Sequence, residues 1–269
     1  MALTLFQRDV CRLLADRRRA SGESYIAGGV ALTEALAAQR VSRDLDIVPD
    51  TAEAVAESWD AARRLLQSAG YAVEARRERS GFVEAAVSRD GETLMVEWVR
   101  DSAYRFFPLV EHAEFGLALH PVDLATNKVL ALIGRTESRD WIDVIECRRS
   151  LQPLGYLSWA ACGKDPGVTP AGILAHAART SHYSQAEIDA LAFEGDAPRA
   201  DLLSRSWHAA LDDARAIVAR LPLERAGTAV LDAEGHLFKG RADELVHPLA
   251  AGMLQFHEGR IRGAWPSVR

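Results

Sequence analysis

The sequence predicts an α+β chain, with strands and helices interleaved in its first half and helices dominating its second. Three observations predict it. Helical and strand patterns alternate from residue 4 to residue 48; two runs of period two flank Asp90-Gly91; and residues 168–220 carry helical spacing. With 269 residues, 48% of them hydrophobic, the chain can build one large core or two smaller ones, and whole-chain disorder is excluded.

Residues 4–19 have apolar positions at Leu5, Val10, Leu13 and Leu14 with arginines between, a short amphipathic helix that Arg17-Arg18-Arg19 and Gly22 close. Tyr25-Ile26-Ala27 is a short apolar strand ended by Gly28-Gly29, and a helix follows from about Val30 to Ala38. Asp44 to Val48 reads as a strand stopped by Pro49-Asp50; residues 52–69 read as a helix with Val55, Trp59, Ala62, Leu65 and Leu66 on one side. Phe82–Ser88 and Thr93–Val99 alternate around Asp90-Gly91, a strong hairpin signal. Arg76-Arg77-Glu78-Arg79 reads as a solvated face. Pro121 starts a helix that runs to Gly134, and Ser138 to Arg149 forms the next. Pro153-Leu154-Gly155 marks a boundary, dividing a domain over residues 1–152 from a mainly helical one over 153–269. Near the end, Thr228–Leu231 and His236–Lys239 around Glu234-Gly235 read as a small hairpin.

The net charge of -6 argues against a strongly basic nucleic-acid clamp, and the imbalance is spread evenly. Residues 1–150 carry 20 basic and 24 acidic side chains, the remainder 12 and 14. Cys11, Cys147 and Cys162 have neither zinc nor disulfide spacing, which fits a reducing cytoplasm. No apolar run is long enough for a membrane span, and the start of the chain lacks the apolar stretch of a secretory leader.

The informative segment is Ala27 to Val48. Asp44 and Asp46, two apart on a strand, point to one face with Cα atoms about 6–7 Å apart. Such a pair repels itself unless a cation neutralises it, and magnesium (or manganese in its place) takes carboxylate oxygens together with substrate phosphate. Gly28-Gly29 lets backbone N–H groups approach a phosphate at the positive end of the following helix. Ser42 and Arg43, just before the acidic pair, add a hydroxyl and a guanidinium for phosphate. A lone Asp-x-Asp or Gly-Gly says little; the ordered set points to a nucleotide-phosphate and metal site. Glu97, interrupting the apolar strand Leu94–Val99, is the candidate third metal ligand, against an edge glutamate facing solvent.

A second cluster lies in residues 123–149. Lys128 interrupts an apolar helix face, either reaching a triphosphate or snorkelling from the core edge. Arg139 and Asp143 stand at i,i+4 spacing with Asp140 beside them, as a structural ion-pair network or as part of an active site.

These residues resemble the AbiEii/AbiGii-type nucleotidyltransferase toxins of the DNA polymerase β-like superfamily, over about residues 23–183. The matching pieces are Gly28-Gly29, Arg40 to Asp46, Glu97, Asn127 to Leu132, Arg139 to Asp143 and Lys164 to Gly167. The resemblance implies a small mixed sheet flanked by helices, followed by a mainly helical part. It also implies magnesium-dependent transfer of a nucleotidyl group from a nucleoside triphosphate to an acceptor hydroxyl. In such toxins the acceptor is a tRNA 3′ end, and a toxin implies an antitoxin partner. It assigns catalysis to Asp44, Asp46, Lys128 and Asp143, with Asp140 the alternative late aspartate. Nucleotide binding falls to Gly28, Gly29, Ser42, Arg43, Lys128, Arg139 and Asp140, and the metal to Asp44, Asp46 and Glu97. One departure stands out: the wider superfamily has Gly-Ser where this chain has Gly28-Gly29. Two alternatives remain open, a non-catalytic nucleotide-binding module of the same fold and transfer to a protein or small-molecule hydroxyl.

Overall fold

The computed structural model describes residues 3–180 and 183–266; the helical reading of 168–220 takes in residues 181 and 182, which lie outside the described residues. The chain forms two compact units, Met1–Ala103 with Leu109–His120, and Tyr104–Pro108 with Pro121–Arg269.

In the first unit, helix α1 (Leu5–Ser21) starts in a capping box. Thr4 Oγ1 accepts from the Gln7 N–H at 3.1 Å, and Gln7 Oε1 accepts from the Thr4 N–H at 2.9 Å. The helix ends at Gly22, whose φ of 65° is the left-handed conformation expected there. Strand β1 (Ser24–Ala27), helix α2 (Gly28–Leu36), strand β2 (Asp44–Pro49) and helix α3 (Ala52–Ser68) follow, then strands β3 (Ala72–Arg79), β4 (Phe82–Arg89) and β5 (Glu92–Val99). Strand β6 (Tyr104–Arg105) belongs to the second unit; β7 (Val110–His112) and β8 (Gly116–Ala118) return to the first.

Seven strands make one mixed sheet in the order β3-β4-β5-β2-β1-β8-β7. The β2–β5 and β1–β8 pairs are parallel and the other neighbours antiparallel. Asp90 and Gly91, with φ of 55° and 85°, form the two-residue turn between β4 and β5 that the sequence predicts. Alternation along the central strands sorts the faces. Leu45, Ile47, Val96 and Trp98 are at most 1% exposed. Behind them lie Leu14 of α1 and Ala54 and Ala62 of α3, and the Trp59 ring of α3 sits 4.9 Å from that of Trp98. Strand β3 is one of the elements the sequence reading missed. Nearly all its residues are exposed, so no period-two signal exists, and its ladder with β4 alone makes it a strand.

The second unit holds helices α4 (Pro121–Arg135), α5 (Ser138–Ser150), α6 (Leu154–Ala161), α7 (Pro170–Ala177), α8 (Gln185–Asp189) and α9 (Ala200–Val218), strand β9 (Thr228–Leu231), helix α10 (Val246–Ala250) and strands β10 (Gln255–Glu258) and β11 (Arg260–Ile261). The division expected at residues 152 and 153 falls inside this unit, between α5 and α6. Helix α6 is buried at every position, so it has no amphipathic period for a sequence reading to detect. Gly155 gives it its close approach to α9: a Cβ there would meet the Ile217 Cβ at 2.8 Å.

The hairpin expected between 228–231 and 236–239 forms only in part. Leu231 and Leu237 make an isolated bridge, whereas β9 pairs along its length with β10. The Gln152 amide takes the place of a longer ladder, donating to both Val230 O and Phe238 O at 2.8 Å. Strand β9 is buried throughout, and β10 brings Phe256 against that core.

Candidate active site

Strand β2 turns Leu45 and Ile47 into the core and Asp44 and Asp46 to the opposite face, where both remain partly exposed. The ladders extend that face sideways. Asp46 is registered with Glu97 of β5 on one side and Ala27 of β1 on the other, and Glu97 is registered with Glu84 of β4. Three carboxylates therefore occupy one row across three adjacent strands, which stand about 4.8 Å apart. Asp44 lies two residues back on the same face, registered with Met95. Glu84 is the member that sequence reasoning missed: its side chain pairs with Arg77 at 3.3 Å, and nothing in its local sequence marks it out.

Gly28 joins this acidic row to the start of α2. Its φ of 64° is left-handed, and the Asp46 carboxylate occupies the space a Cβ would take, with the carboxyl carbon 2.5 Å from that point. Any side chain at position 28 would displace Asp46. The residue before α2, Ala27, makes no side-chain cap, and the Asp46 carboxylate lies beside the start of that helix.

Gly29 serves a different neighbour. A Cβ there would lie 2.5 Å from Ser42 Oγ and 2.9 Å from Arg40 Nη2. The Ser42 hydroxyl thus fills the volume that a side chain at residue 29 would have, which is a spatial account of the Gly-Gly departure. Ser42 is 9% exposed, whereas Arg43 is exposed. Their loop is held from α1, where buried Gln7 donates from Nε2 to Ser42 O at 3.1 Å and to Arg43 O at 3.2 Å. Gln7 therefore caps α1 through Oε1 and pins the loop before Asp44 through Nε2. The sequence reading named neither the capping pair nor this second contact, 35 residues away.

The donor set suits a hard divalent cation. Among the described residues no group of three His, Cys, Asp or Glu side chains is arranged to hold a metal ion by itself. Magnesium is held by one or two carboxylates plus substrate phosphates more often than by an all-protein cage. Two aligned aspartates beside the start of a helix fit that mode.

Lys128, Arg139, Asp140 and Asp143 lie in the second unit. Lys128, 7% exposed on α4, places Nζ 2.8 Å from Asp143 Oδ2 and 3.2 Å from Asp140 Oδ1 on α5. Arg135 adds a two-pronged contact to Asp140, at 2.6 Å and 3.0 Å. Burial pushes the Asp140 carboxyl up, but the Arg135 hydrogen bonds and the Lys128 charge outweigh it and hold the group below its ordinary value. Arg139 Nε sits 2.5 Å from Glu137. Within this unit the four charges of Lys128, Arg135, Asp140 and Asp143 fasten α4 to α5.

No known protein family and no curated protein matches the chain. Solved structures do match. A Helicobacter pylori protein described as a candidate nucleotidyltransferase shares 13% identity over 82% of this chain and 99% of its own, with a TM-score of 0.53. JHP933 from Helicobacter pylori shares 14% over 80% and 93%, also with a TM-score of 0.53. MenT4, a nucleotidyltransferase toxin from Mycobacterium tuberculosis, shares 14% over 82% and 84%, with a TM-score of 0.41. The two Helicobacter likenesses show the fold alone: a mixed sheet flanked by helices.

Proposed function

We propose that this chain is a magnesium-dependent nucleotidyltransferase that moves a nucleoside monophosphate from a triphosphate to an acceptor hydroxyl. The observation that carries the proposal is the interlock of Gly28 with Asp46, which sets a carboxylate suited to a metal against the start of α2. Asp44 and Asp46 would hold the metal together with substrate phosphate, and Glu97 on the adjoining strand adds negative charge beside them. The metal would neutralise the phosphates and the departing pyrophosphate. The N–H groups of the first turn of α2, the Ser42 hydroxyl and the Arg43 guanidinium bind and orient phosphate oxygens. In the transfer, the acceptor hydroxyl gives up its proton to water, its oxygen bonds to the α-phosphorus, the bond from that phosphorus to the oxygen bridging to the β-phosphate breaks, and pyrophosphate leaves with that electron pair.

The proposed acceptor is a tRNA 3′ end, and the proposed setting a bacterial toxin–antitoxin or abortive-infection system. Both rest on the motif resemblance of residues 28–46, 97 and 127–143. The free thiols of Cys11, Cys147 and Cys162 suit the cytoplasm such a toxin works in, and no helix among the described residues is long and apolar enough to cross a membrane.

The test is label transfer. Purified protein, magnesium and each labelled triphosphate are incubated with bacterial RNA, with protein and with small hydroxyl compounds. The proposal expects label on RNA of tRNA size, absent with Asp44→Ala. Label on protein or on a small hydroxyl compound would keep the transferase and replace the acceptor. Nucleotide binding without transfer to any acceptor would leave a non-catalytic nucleotide-binding module.

A further inference from the structure

The second unit contains a cavity of about 310 Å³ that the proposed reaction does not use. Its wall comes from the end of α5, the start of α6, one face of α9 and Arg241. Pro153 and Leu154 supply an apolar floor, and Arg148, Ser206, Asp213 and Arg241 supply the polar side. The volume sits at the lower end of small-molecule pockets, roughly 300–1,000 Å³.

Arg148 is the unusual member. It is partly buried, and its Nη2 donates to Ser206 O at 3.3 Å and to the Ser206 hydroxyl. Its Nε is enclosed and has no hydrogen-bond partner. No carboxylate is paired with it among the described ion pairs, and burial together with neighbouring Arg149 lowers its pKa. A guanidinium presents its donors in a fixed fork that matches a phosphate or carboxylate. The enclosed Nε does not reach the cavity, so the terminal guanidinium nitrogens are the donors left to meet a molecule there. Across the cavity, Arg241 is mostly exposed and lies 3.7 Å from Asp213, so it is a loosely held second cation at the rim. The polar wall thus carries two positive charges against one negative.

We propose that this cavity is a binding site for a small molecule bearing one phosphate or carboxylate group, with Arg148 as the anchoring residue and Arg241 as the closing one. The anionic group lies against the terminal nitrogens of the Arg148 guanidinium beside Ser206, and the apolar body of the ligand covers Pro153 and Leu154. The site lies wholly within the second unit and does not depend on the nucleotidyltransferase reading.

The experiment is calorimetric titration of the full chain with inorganic phosphate and, separately, with acetate. EDTA is present so that no metal-assisted phosphate site contributes. Saturable binding of either anion is expected, weakened at least tenfold in Arg148→Gln and severalfold in Arg241→Gln. Because Arg148→Gln also loses the Ser206 contacts, a second variant separates binding from folding. Ala209 is exposed, lines the same cavity and lies one turn along α9 from Ser206. Ala209→Glu brings an anion of its own, and is expected to abolish anion binding while raising the melting temperature. No binding to the unaltered chain would overturn the proposal, as would equal binding in Arg148→Gln or in Ala209→Glu.

Discussion

Replacing Gly28 by alanine tests the geometry of the proposed site with a single methyl group. Gly28 has φ of 64°, so alanine would pay about 1–2 kcal/mol for left-handed backbone. The larger effect is positional. The new methyl group would claim the space now filled by the Asp46 carboxylate, so Asp46 must rotate or β2 must recede, by about 1 Å or more. A misplacement of that size costs on the order of 10²-fold in rate. Gly28→Ala should therefore lower transfer by about 10²-fold while lowering stability by only about 1–2 kcal/mol. Urea denaturation and single-turnover label transfer measure the two losses separately. Gly29→Ala is the comparison: it has no positive φ, and its methyl group meets the buried Ser42 side chain, at 2.5 Å from Oγ and 3.0 Å from Cβ. It should displace Ser42 rather than Asp46, and so raise the KM for triphosphate more than it lowers kcat. Full transfer activity in Gly28→Ala, with Asp46 required as before, would refute the reasoning.

Three further outcomes follow from particular contacts. Lys128→Met leaves Asp140 and Asp143 buried with one cation fewer, and should destabilise the fold by about 3–5 kcal/mol in urea titration; a loss under about 1 kcal/mol would show that the network does not bind α4 to α5. The Asp140 carboxyl is held below its unfolded value, so its stabilisation is present above about pH 4 and is lost as the pH falls through the lower folded value. Thermal unfolding followed from pH 6 to pH 2 should show this acid sensitivity, and Asp140→Asn should be less stable at pH 6 with a flatter profile; an unchanged profile would contradict it. Gln7→Leu removes two hydrogen bonds from the loop before Asp44 and should cost about 1–3 kcal/mol. It should also raise the KM for triphosphate more than it lowers kcat, and an unchanged KM would mean the loop holds its place without Gln7.

The legible parts of this structure were those with a local periodic signature. The Asp90-Gly91 hairpin, the inner strand carrying Asp44 and Asp46, and the long amphipathic helices all announce themselves within a dozen residues. The alternation along β2 was enough to place both aspartates on one face. Elements without periodicity were lost: β3 because it is exposed on both sides, α6 because it is buried on every side. The β9 strand was read correctly but given the wrong main partner, since a partner 24 residues on leaves no local trace. Contacts between distant segments were likewise invisible. Glu84 joins the acidic row only through strand register, and Gln7 reaches Ser42 only because α1 packs beside that loop.

The central claim is that Asp44 and Asp46 hold a divalent ion against a triphosphate. The most direct measurement is an electron paramagnetic resonance titration of manganese, with and without a non-hydrolysable triphosphate. It compares the unaltered chain with Asp46→Asn, a substitution that keeps the shape beside Gly28. The account predicts that triphosphate tightens manganese binding at least tenfold in the unaltered chain and has no such effect in Asp46→Asn. Equal tightening in both proteins would place the metal elsewhere and contradict the account.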